Sequence, residues 1–289
     1  MPAAPPPVIH DNLPRPLTRF IGRSEELQSL RAVLQSERLV TLTGVGGCGK
    51  TRLAREVAAS ARDLFPDGVR WIDLAPLADE GLVAQAIAGA WGVLEQPGRS
   101  IMDTLAESLK SRQVLLILDN CEHLAAACAW CGQILLERCP ALTILATSRE
   151  SLGVPGETIV PVAPLPVPDE DQCEDVAQLV RTDVISLFLD RARAAAPSFK
   201  LSAENVRDVA QLCRKLDGIP LAIELAAARV RLLNPRQIAE RLQHAFQVLG
   251  SGTRGAPHRQ QTLQATLDWS FALLAPVERA LFRALAAFV

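Results

Sequence analysis

One stretch near the start of the chain, RLVTLTGVGGCGKTRL (38–53), constrains the fold more than any other. An apolar, β-branched run ends at Gly44, a G-x-x-x-x-G-K-T sequence follows, and a helical pattern begins, which is the context of a P-loop. The glycines let backbone N–H groups approach phosphate oxygens without a Cβ clash, and the helix N-terminus adds further N–H groups. A glycine-rich turn that binds nothing does not explain the Lys-Thr pair with both flanks. The stretch therefore predicts binding of a nucleoside phosphate.

The residue types in this loop predict separate roles. Lys50 is expected to reach the β- and γ-phosphates, and the Thr51 hydroxyl is expected to bind Mg²⁺. The predicted cofactors are therefore ATP or ADP together with Mg²⁺. The predicted nucleotide-binding residues of the loop and the first helical turn are Gly44, Gly46, Gly47, Cys48, Gly49, Lys50, Thr51 and Arg52.

The composition fits a globular protein and gives no overall attraction to nucleic acid. The 289 residues are 49% hydrophobic and 21% charged, with a formal net charge of −2. The N-terminus has no basic start followed by an apolar segment, so no secretory signal is predicted. No apolar run reaches the ~18 residues of a membrane span. We therefore expect a cytoplasmic protein.

The seven cysteines leave two interpretations open. Four of them and His123 fall between residues 121 and 139, and Cys128 and Cys131 form a C-x-x-C pair that could belong to a zinc site. However, the pair sits on a continuous helical pattern and no second C-x-x-C accompanies it. Buried, reduced cysteines on a helix are the favoured interpretation.

Strand-like and helix-like patterns alternate along the first half of the chain. Short apolar runs predict strands at 39–43, 69–74, 114–118, 142–146 and 158–160. Helical spacing predicts a helix starting near Ser24 as its N-cap and further helices at 51–64, 79–91, 101–111 and 122–137. This alternation is typical of a parallel sheet flanked by helices, so we predict an α/β fold of the P-loop NTPase class.

The sequence pattern of the second half of the chain predicts helices. A segment rich in proline and acidic residues begins at Pro161, and helical patterns then cover 183–196, 202–217 with Ser202 as a cap, 220–233 and 235–249. The last helical pattern stops on apolar residues, which predicts a truncated third domain. The expected organisation is a disordered proline-rich lead-in (1–16), a P-loop domain (17–163), a linker (164–181), an all-α domain (182–250) and the start of a further domain (256–289).

Two polar residues that follow buried strands are predicted to lie beside the loop. Asp119 ends one apolar strand and Arg149 follows the next, and parallel sheets bind ligands at this edge. We predict that Asp119 binds Mg²⁺ together with Thr51; the alternative is a carboxylate that caps the following helix. We predict that Arg149 contacts the γ-phosphate; the alternative is a solvated side chain. Lys50, Asp119 and Arg149 are the predicted catalytic residues.

Asn120 occupies the position where many hydrolytic P-loop proteins carry a second acid. An amide is a poor general base. Glu122 is close in sequence, but a role in the helix dipole explains it equally well. We therefore expect slow ATP hydrolysis.

Several motifs together resemble one family. Their order is FIGRSEEL, GVGGCGKT, LLILDNCEHL, ILATSRESLGVPGE, GIPLAIELAAARV and HRQQTLQATLDWSFALL. The chain thus resembles the NB-ARC branch of the STAND ATPases, and within it the bacterial multidomain regulators of the LuxR and SARP kind. The resemblance covers roughly residues 13–289.

The resemblance implies further roles at matching positions. Phe20, Ile21, Gly22 and Arg23 would line the adenine and ribose, and Arg149 would be the sensor arginine. Gly218-Ile219-Pro220-Leu221 matches the motif in which the proline packs on adenine and ties the helical domain to bound ADP; from the residues alone this stretch is a helix break. The final stretch resembles the entry to a winged-helix domain, and self-association or a partner protein is expected through regions outside this chain.

Three functions are compatible with the sequence. The first is an ATP/ADP-dependent switch in a signalling or transcriptional regulator, with ADP held between the P-loop and helical domains. The second is a dedicated ATP-using enzyme, an ATPase or a kinase, which would require a positioned base. The third is a DNA-binding regulator acting through the C-terminal helices, but these carry scattered arginines and no basic stripe. We expect the switch, with no membrane association and no specific nucleic-acid binding by this chain alone.

Overall fold

The computed structural model describes residues 11–169, 176–249, 266–268, 271 and 276–285. These residues form two compact units, each with its own apolar core. The first unit comprises the described residues of 1–20, 24–44 and 50–162. The second comprises 21–23, 45–49 and the described residues from 163 onward. The backbone of the P-loop is therefore grouped with the helical part of the chain, which its sequence did not indicate.

The first unit contains a five-stranded parallel sheet in the order β2-β3-β4-β1-β5. Every residue of β3 and β4 is buried, as expected for central strands covered on both faces. The sheet confirms the predicted α/β fold with a helical part. The strands are β1 (Leu39–Thr43), β2 (Val69–Asp73), β3 (Val114–Asp119), β4 (Leu142–Ser148) and β5 (Glu157–Pro161).

Five α-helices accompany this sheet. Helices α3, α4 and α5 bury apolar side chains against strand residues such as Leu116 and Ile144, whereas α2 packs on β1, β3 and β4 and also on α1. The helices are α1 (Ser24–Ser36), α2 (Lys50–Ser60), α3 (Val83–Ala90), α4 (Ile101–Leu109) and α5 (Ala125–Arg138).

The helix predicted over 122–137 starts differently in the structure. Residues Cys121–His123 form a 3₁₀ turn, and α5 begins only at Ala125. The cause is local, because Asn120 adopts a left-handed conformation with φ 69° and Leu124 leaves the helical region with φ −128°. Glu122 therefore lies in a separate turn directly after β3 and not in the first turn of an α-helix.

Five of the six described cysteines lie in the two apolar cores. Cys121, Cys128, Cys131 and Cys139 are buried in the core of the first unit, and Cys213 is buried in that of the second. All six cysteines that the structure describes are free thiols; Cys173 lies outside the described residues. Among the described residues no group of three or more His, Cys, Asp or Glu side chains is placed to hold a metal ion.

The second unit is helical. Its core is formed by apolar residues of α7 to α10, among them Phe188, Leu212 and Ile223. Its helices are α6 (Val176–Leu179), α7 (Asp183–Ala195), α8 (Val206–Lys215), α9 (Pro220–Ala227), α10 (Pro235–Leu249) and α11 (Pro276–Leu285).

Two predicted helices of this unit are shorter than expected. The helix predicted from Ser202 begins at Val206, because the Ser202 N–H binds the Asn205 side chain at 3.0 Å in a preceding turn. The helix predicted over 220–233 ends at Ala227 and continues as a 3₁₀ turn at Ala228–Arg231. The predicted domain boundaries stay predictions, and most of the winged-helix stretch lies outside the described residues.

The part of the predicted lead-in that the structure describes is attached to the sheet. The Asn12 side chain exchanges two hydrogen bonds with the backbone of Trp71, at 2.8 and 2.7 Å. Across the described residues, no helix combines the length and the apolar character that a bilayer crossing requires.

Candidate nucleotide-binding site

The loop between β1 and α2 has the backbone geometry expected of a P-loop. Gly44, Gly47 and Gly49 have φ values of 151°, 76° and 96°, which residues with a Cβ rarely adopt. Helix α2 begins at Lys50, a residue that is only 9% exposed and whose ammonium donates to the Gly44 carbonyl at 2.8 Å. The predicted lysine thus lies against the first carbonyl of the loop, where a phosphate oxygen would compete for its protons.

A cluster of oxygen atoms lies beside the start of α2. The Thr51 hydroxyl donates to Asp119 Oδ1 at 2.8 Å, and the Thr147 hydroxyl donates to the same oxygen at 2.6 Å. Burial raises the pKa of Asp119, although the hydrogen bonds from Thr147 and Thr51 act in the opposite direction. A buried carboxylate next to a hydroxyl is the hard oxygen set that Mg²⁺ prefers. The residues present therefore fit the metal predicted at Thr51 and Asp119.

Thr147 is a member of this cluster that the sequence analysis missed. Parallel pairing of β3 with β4 aligns Leu118 with Ala146, which places Asp119 and Thr147 side by side. The Thr147 oxygen also accepts the Asn120 N–H at 2.9 Å. A polar residue at the end of a buried strand was the available signal, but the neighbourhood of β3 and β4 cannot be read from the sequence.

Arg149 is paired with Glu122. Its Nε lies 3.1 Å from Glu122 Oε1, and the arginine side chain is 61% exposed. The second carboxylate oxygen, Oε2, is buried and has no hydrogen-bond partner among the described residues. The charge of Asp73, and then that of Glu122, also raises the pKa of Asp119, by less than burial does. The predicted sensor arginine and Glu122 thus form one ion pair.

The Gly218–Leu221 motif contacts the backbone of the loop. The Leu221 N–H donates to the Gly47 carbonyl at 3.2 Å. Pro220, the first residue of α9, has its Cγ 4.0 Å from where a Cβ on Gly49 would lie. Both predicted residues of α9 are therefore placed at the loop.

Arg23 is buried and binds backbone carbonyls. The guanidinium of Arg23 donates to the carbonyls of Cys48 at 2.8 Å and Ala163 at 2.7 Å. The backbone N–H of Arg23 donates to Asp183 Oδ2 at 2.9 Å. Gly22 packs against the same Asp183, because a Cβ there would lie 2.2 Å from the carboxyl carbon. This segment is thus fixed to both the loop and α7.

The remaining predicted positions lie around this segment. Ile21 packs against the helical core, and Phe20 is half-buried. Arg52 donates to the carbonyl and hydroxyl of Thr18 at 2.9 and 2.7 Å and to the Arg19 carbonyl at 2.6 Å. Arg52 thus fixes the chain just before Phe20.

Comparison with known proteins identifies the type of domain. Residues 32–153 match the family model described as an AAA domain. Among solved structures, Cdc6p of Pyrobaculum aerophilum superposes with a TM-score of 0.52 at 15% identity, covering 95% of this chain and 86% of that one. This second likeness concerns the fold alone. Residues 32–153 are therefore similar to an AAA domain, and the parallel sheet has the P-loop NTPase fold.

Two of the relatives in sequence are regulators by name. Rv0890c of Mycobacterium tuberculosis, whose name describes a candidate HTH-type transcriptional regulator, is 48% identical over 90% of this chain. Regulatory protein AfsR of Streptomyces griseus is 29% identical over 94% of it. The chain spans only 28% and 27% of the lengths of these two proteins.

Proposed function

We propose that this chain is the ATP/ADP-binding switch module of a signalling or transcriptional regulator. The observation that carries the proposal is that Lys50 and Thr51, which begin α2, lie beside the loop and Asp119, at the end of β3. Lys50 would bind the β- and γ-phosphates, and Thr51 and Asp119 would bind Mg²⁺. The similarity to regulators supports the same assignment. The narrower assignment to the NB-ARC branch of the STAND ATPases is part of this proposal.

A switch requires a group that distinguishes ATP from ADP, because a nucleotide shifts an equilibrium only by its differential affinity for the two states. Arg149 is the proposed group, since its exposed guanidinium at the edge of the sheet can leave Glu122 for a γ-phosphate. ADP offers no γ-phosphate and would leave the ion pair intact. Arg149 therefore gives the site a means of responding to the third phosphate.

The proposed ADP state involves α9. The contacts of Pro220 and Leu221 with Gly49 and Gly47 support a role for the Gly218–Leu221 motif in holding the diphosphate form. We place ADP between the P-loop and helical domains, with Pro220 packing on the adenine. Self-association, or a partner protein bound through regions outside this chain, would follow exchange for ATP.

Hydrolysis by this site is proposed to be slow. Asn120 carries no carboxylate. Its backbone N–H donates to the Thr147 hydroxyl oxygen. Glu122 is the acid near Asp119 that could orient a water molecule, and it is paired with Arg149. A dedicated ATPase or kinase would require a base that is positioned and available. The geometry therefore favours the switch over the enzyme.

Three measurements test the proposal and its alternatives. The protein is purified without added nucleotide and denatured, and the released nucleotide is identified by ion-exchange chromatography with the Lys50→Ala variant in parallel. ADP from the wild type alone supports the switch, whereas a wild type that neither carries nor binds ADP contradicts it. Phosphate release at several turnovers per second without a partner would instead support a dedicated enzyme. A gel shift at physiological salt tests the DNA-binding alternative, and we expect no specific complex.

A further inference from the structure

Arg23 binds the P-loop through a backbone carbonyl. Its guanidinium donates to the Cys48 carbonyl at 2.8 Å, and the residue is only 4% exposed. In a planar trans peptide the C=O of one residue and the N–H of the next point in opposite directions. Because the Cys48 carbonyl points at Arg23, the Gly49 N–H points to the opposite face of the loop.

A second donor acts in the same way on the neighbouring peptide. The Leu221 N–H binds the Gly47 carbonyl at 3.2 Å, so the Cys48 N–H points away from Leu221. The Cys48 N–H instead donates to the Val45 carbonyl, with an N···O distance of 3.3 Å. Two consecutive peptide planes are thus held by donors that bind their carbonyls. P-loops bind phosphate through N–H groups, so a flipped peptide would turn a carbonyl oxygen toward the anion.

Arg23 is held at several points. Its guanidinium also donates to the Ala163 carbonyl at 2.7 Å, and its backbone N–H donates to the Asp183 carboxylate at 2.9 Å. Gly22 leaves no room for a side chain against Asp183. Arg23 adopts φ 61°, which is strained for an L residue and is maintained by these contacts. A side chain fixed this way is poorly placed to rearrange around a base or a sugar.

We infer that Arg23 is a positioning residue for the P-loop: it binds the Cys48 carbonyl so that the loop N–H groups face the phosphates, and it does not line the adenine or ribose. The inference rests on the proposed nucleotide binding and deepens it. It replaces the role that the family resemblance implied for this residue. The chemical class that depends on Arg23 is then the diphosphate group and not the nucleoside.

Pyrophosphate separates the two roles of Arg23, because it offers the phosphates without a nucleoside. Dissociation constants of ADP and of pyrophosphate are measured by calorimetry, with Mg²⁺, for the wild type, Arg23→Ala and Arg23→Lys. A positioning role predicts that Arg23→Ala weakens both ligands by the same factor, about tenfold or more. Arg23→Lys keeps the charge and a donor, so it should weaken both ligands by a smaller common factor.

Arg70 provides a matched control. Its Nε donates to the Ala90 carbonyl at 2.9 Å, and its guanidinium lies 4.8 Å from the Trp91 ring centroid, so Arg70→Ala also removes a half-buried arginine from a carbonyl. This variant should lower the melting temperature but leave both dissociation constants unchanged. A loss of affinity in Arg70→Ala equal to that in Arg23→Ala would mean that general destabilisation explains the effect.

The outcomes separate this inference from the proposed function. If Arg23→Ala weakens ADP and leaves pyrophosphate unchanged, Arg23 contacts the nucleoside and the inference is wrong. If neither ligand is affected, Arg23 does not position the loop. If the wild type binds neither ligand, the proposed function itself fails. Should Arg23→Ala not fold, the ratio of the two affinities in Arg23→Lys, measured well below its melting temperature, decides in the same way.

Discussion

The Thr51 hydroxyl and the Asp119 carboxylate are hydrogen-bonded at 2.8 Å although 68 residues separate them in the sequence. The first lies at the start of α2 and the second at the end of β3. Thr147, at the end of β4, donates to the same carboxylate oxygen. Three adjacent structural elements thus supply one cluster of oxygen ligands, and this cluster is the basis of the proposed Mg²⁺ site.

Replacing Asp119 should separate stability from ligand binding. Burial raises the pKa of Asp119, so folding disfavours its charged form; the resulting stability is present below the unfolded pKa and is lost as pH rises through the folded value. At neutral pH the neutral Asp119→Asn should therefore raise the melting temperature of the protein without ligand. The same variant should weaken Mg²⁺-ADP binding by about tenfold or more, because the carboxylate is lost.

Glu107 is the control for this prediction. It is an exposed carboxylate on α4, and it does not contribute to the raised pKa of Asp119. Glu107→Gln should change neither the melting temperature nor the affinity. A lower melting temperature in Asp119→Asn, with unchanged Mg²⁺-ADP binding, would argue against the metal site.

Removing Arg149 should affect the discrimination between nucleotides. Arg149→Ala is expected to weaken a non-hydrolysable ATP analogue by about tenfold while leaving ADP nearly unchanged, since the guanidinium is proposed to bind the γ-phosphate. The melting temperature should hardly change, because the ion pair with Glu122 is exposed on the arginine side. Calorimetry with both nucleotides measures the ratio of affinities.

The complementary change is Glu122→Gln, which removes the carboxylate that competes for Arg149. It should tighten binding of the ATP analogue relative to ADP. Arg138→Ala is the control, since it removes another half-exposed arginine from an ion pair, with Asp103. If Arg149→Ala weakens the binding of both nucleotides equally, Arg149 does not distinguish ATP from ADP.

The sequence was sufficient for those parts of the site that depend on local order along the chain. A glycine-rich loop between a strand and a helix, and Asp119 at the end of an apolar strand, are local patterns, and the parallel sheet followed from the alternation of elements. Thr147 could not be found in the same way. Its contact with Asp119 depends on β4 lying next to β3, which is a property of the sheet order.

The role of Arg23 could not be predicted from the sequence either. An arginine beside a P-loop suggests a phosphate or nucleoside ligand, but here the guanidinium is bound by carbonyls of Cys48 and Ala163, which lie 25 and 140 residues away. The predicted start of α8 at Ser202 was wrong for a local reason. The Asn205 side chain accepts the Ser202 N–H in a turn that competes with the helix, so α8 begins at Val206.

Two of the buried thiols, Cys131 and Cys213, should be inert in the native protein. Burial raises the pKa values of Cys131 and Cys213 to about 12 from an ordinary 9.0. Their contribution to stability is therefore complete below the unfolded pKa and is lost as pH rises from about 9 toward 12. The free energy of unfolding should fall over that range, and less steeply in Cys213→Ala.

Labelling with a thiol reagent at pH 8 checks the same point. Cys131 and Cys213 should react only after denaturation. Mass spectrometry of peptides from native and denatured samples identifies the modified residues. Reaction of either thiol in the native state, at the rate of the denatured chain, would contradict the burial described for them.

Titration of ADP with Mg²⁺ into the wild type and into Lys50→Ala tests the central claim most directly. The exposed Lys110, at the end of α4, provides the matched control Lys110→Ala. We predict that the wild type and Lys110→Ala bind one ADP with the same affinity and that Lys50→Ala binds it at least about a hundredfold more weakly. Unchanged ADP affinity in Lys50→Ala would contradict the assignment of this loop as the nucleotide site, and with it the proposed switch.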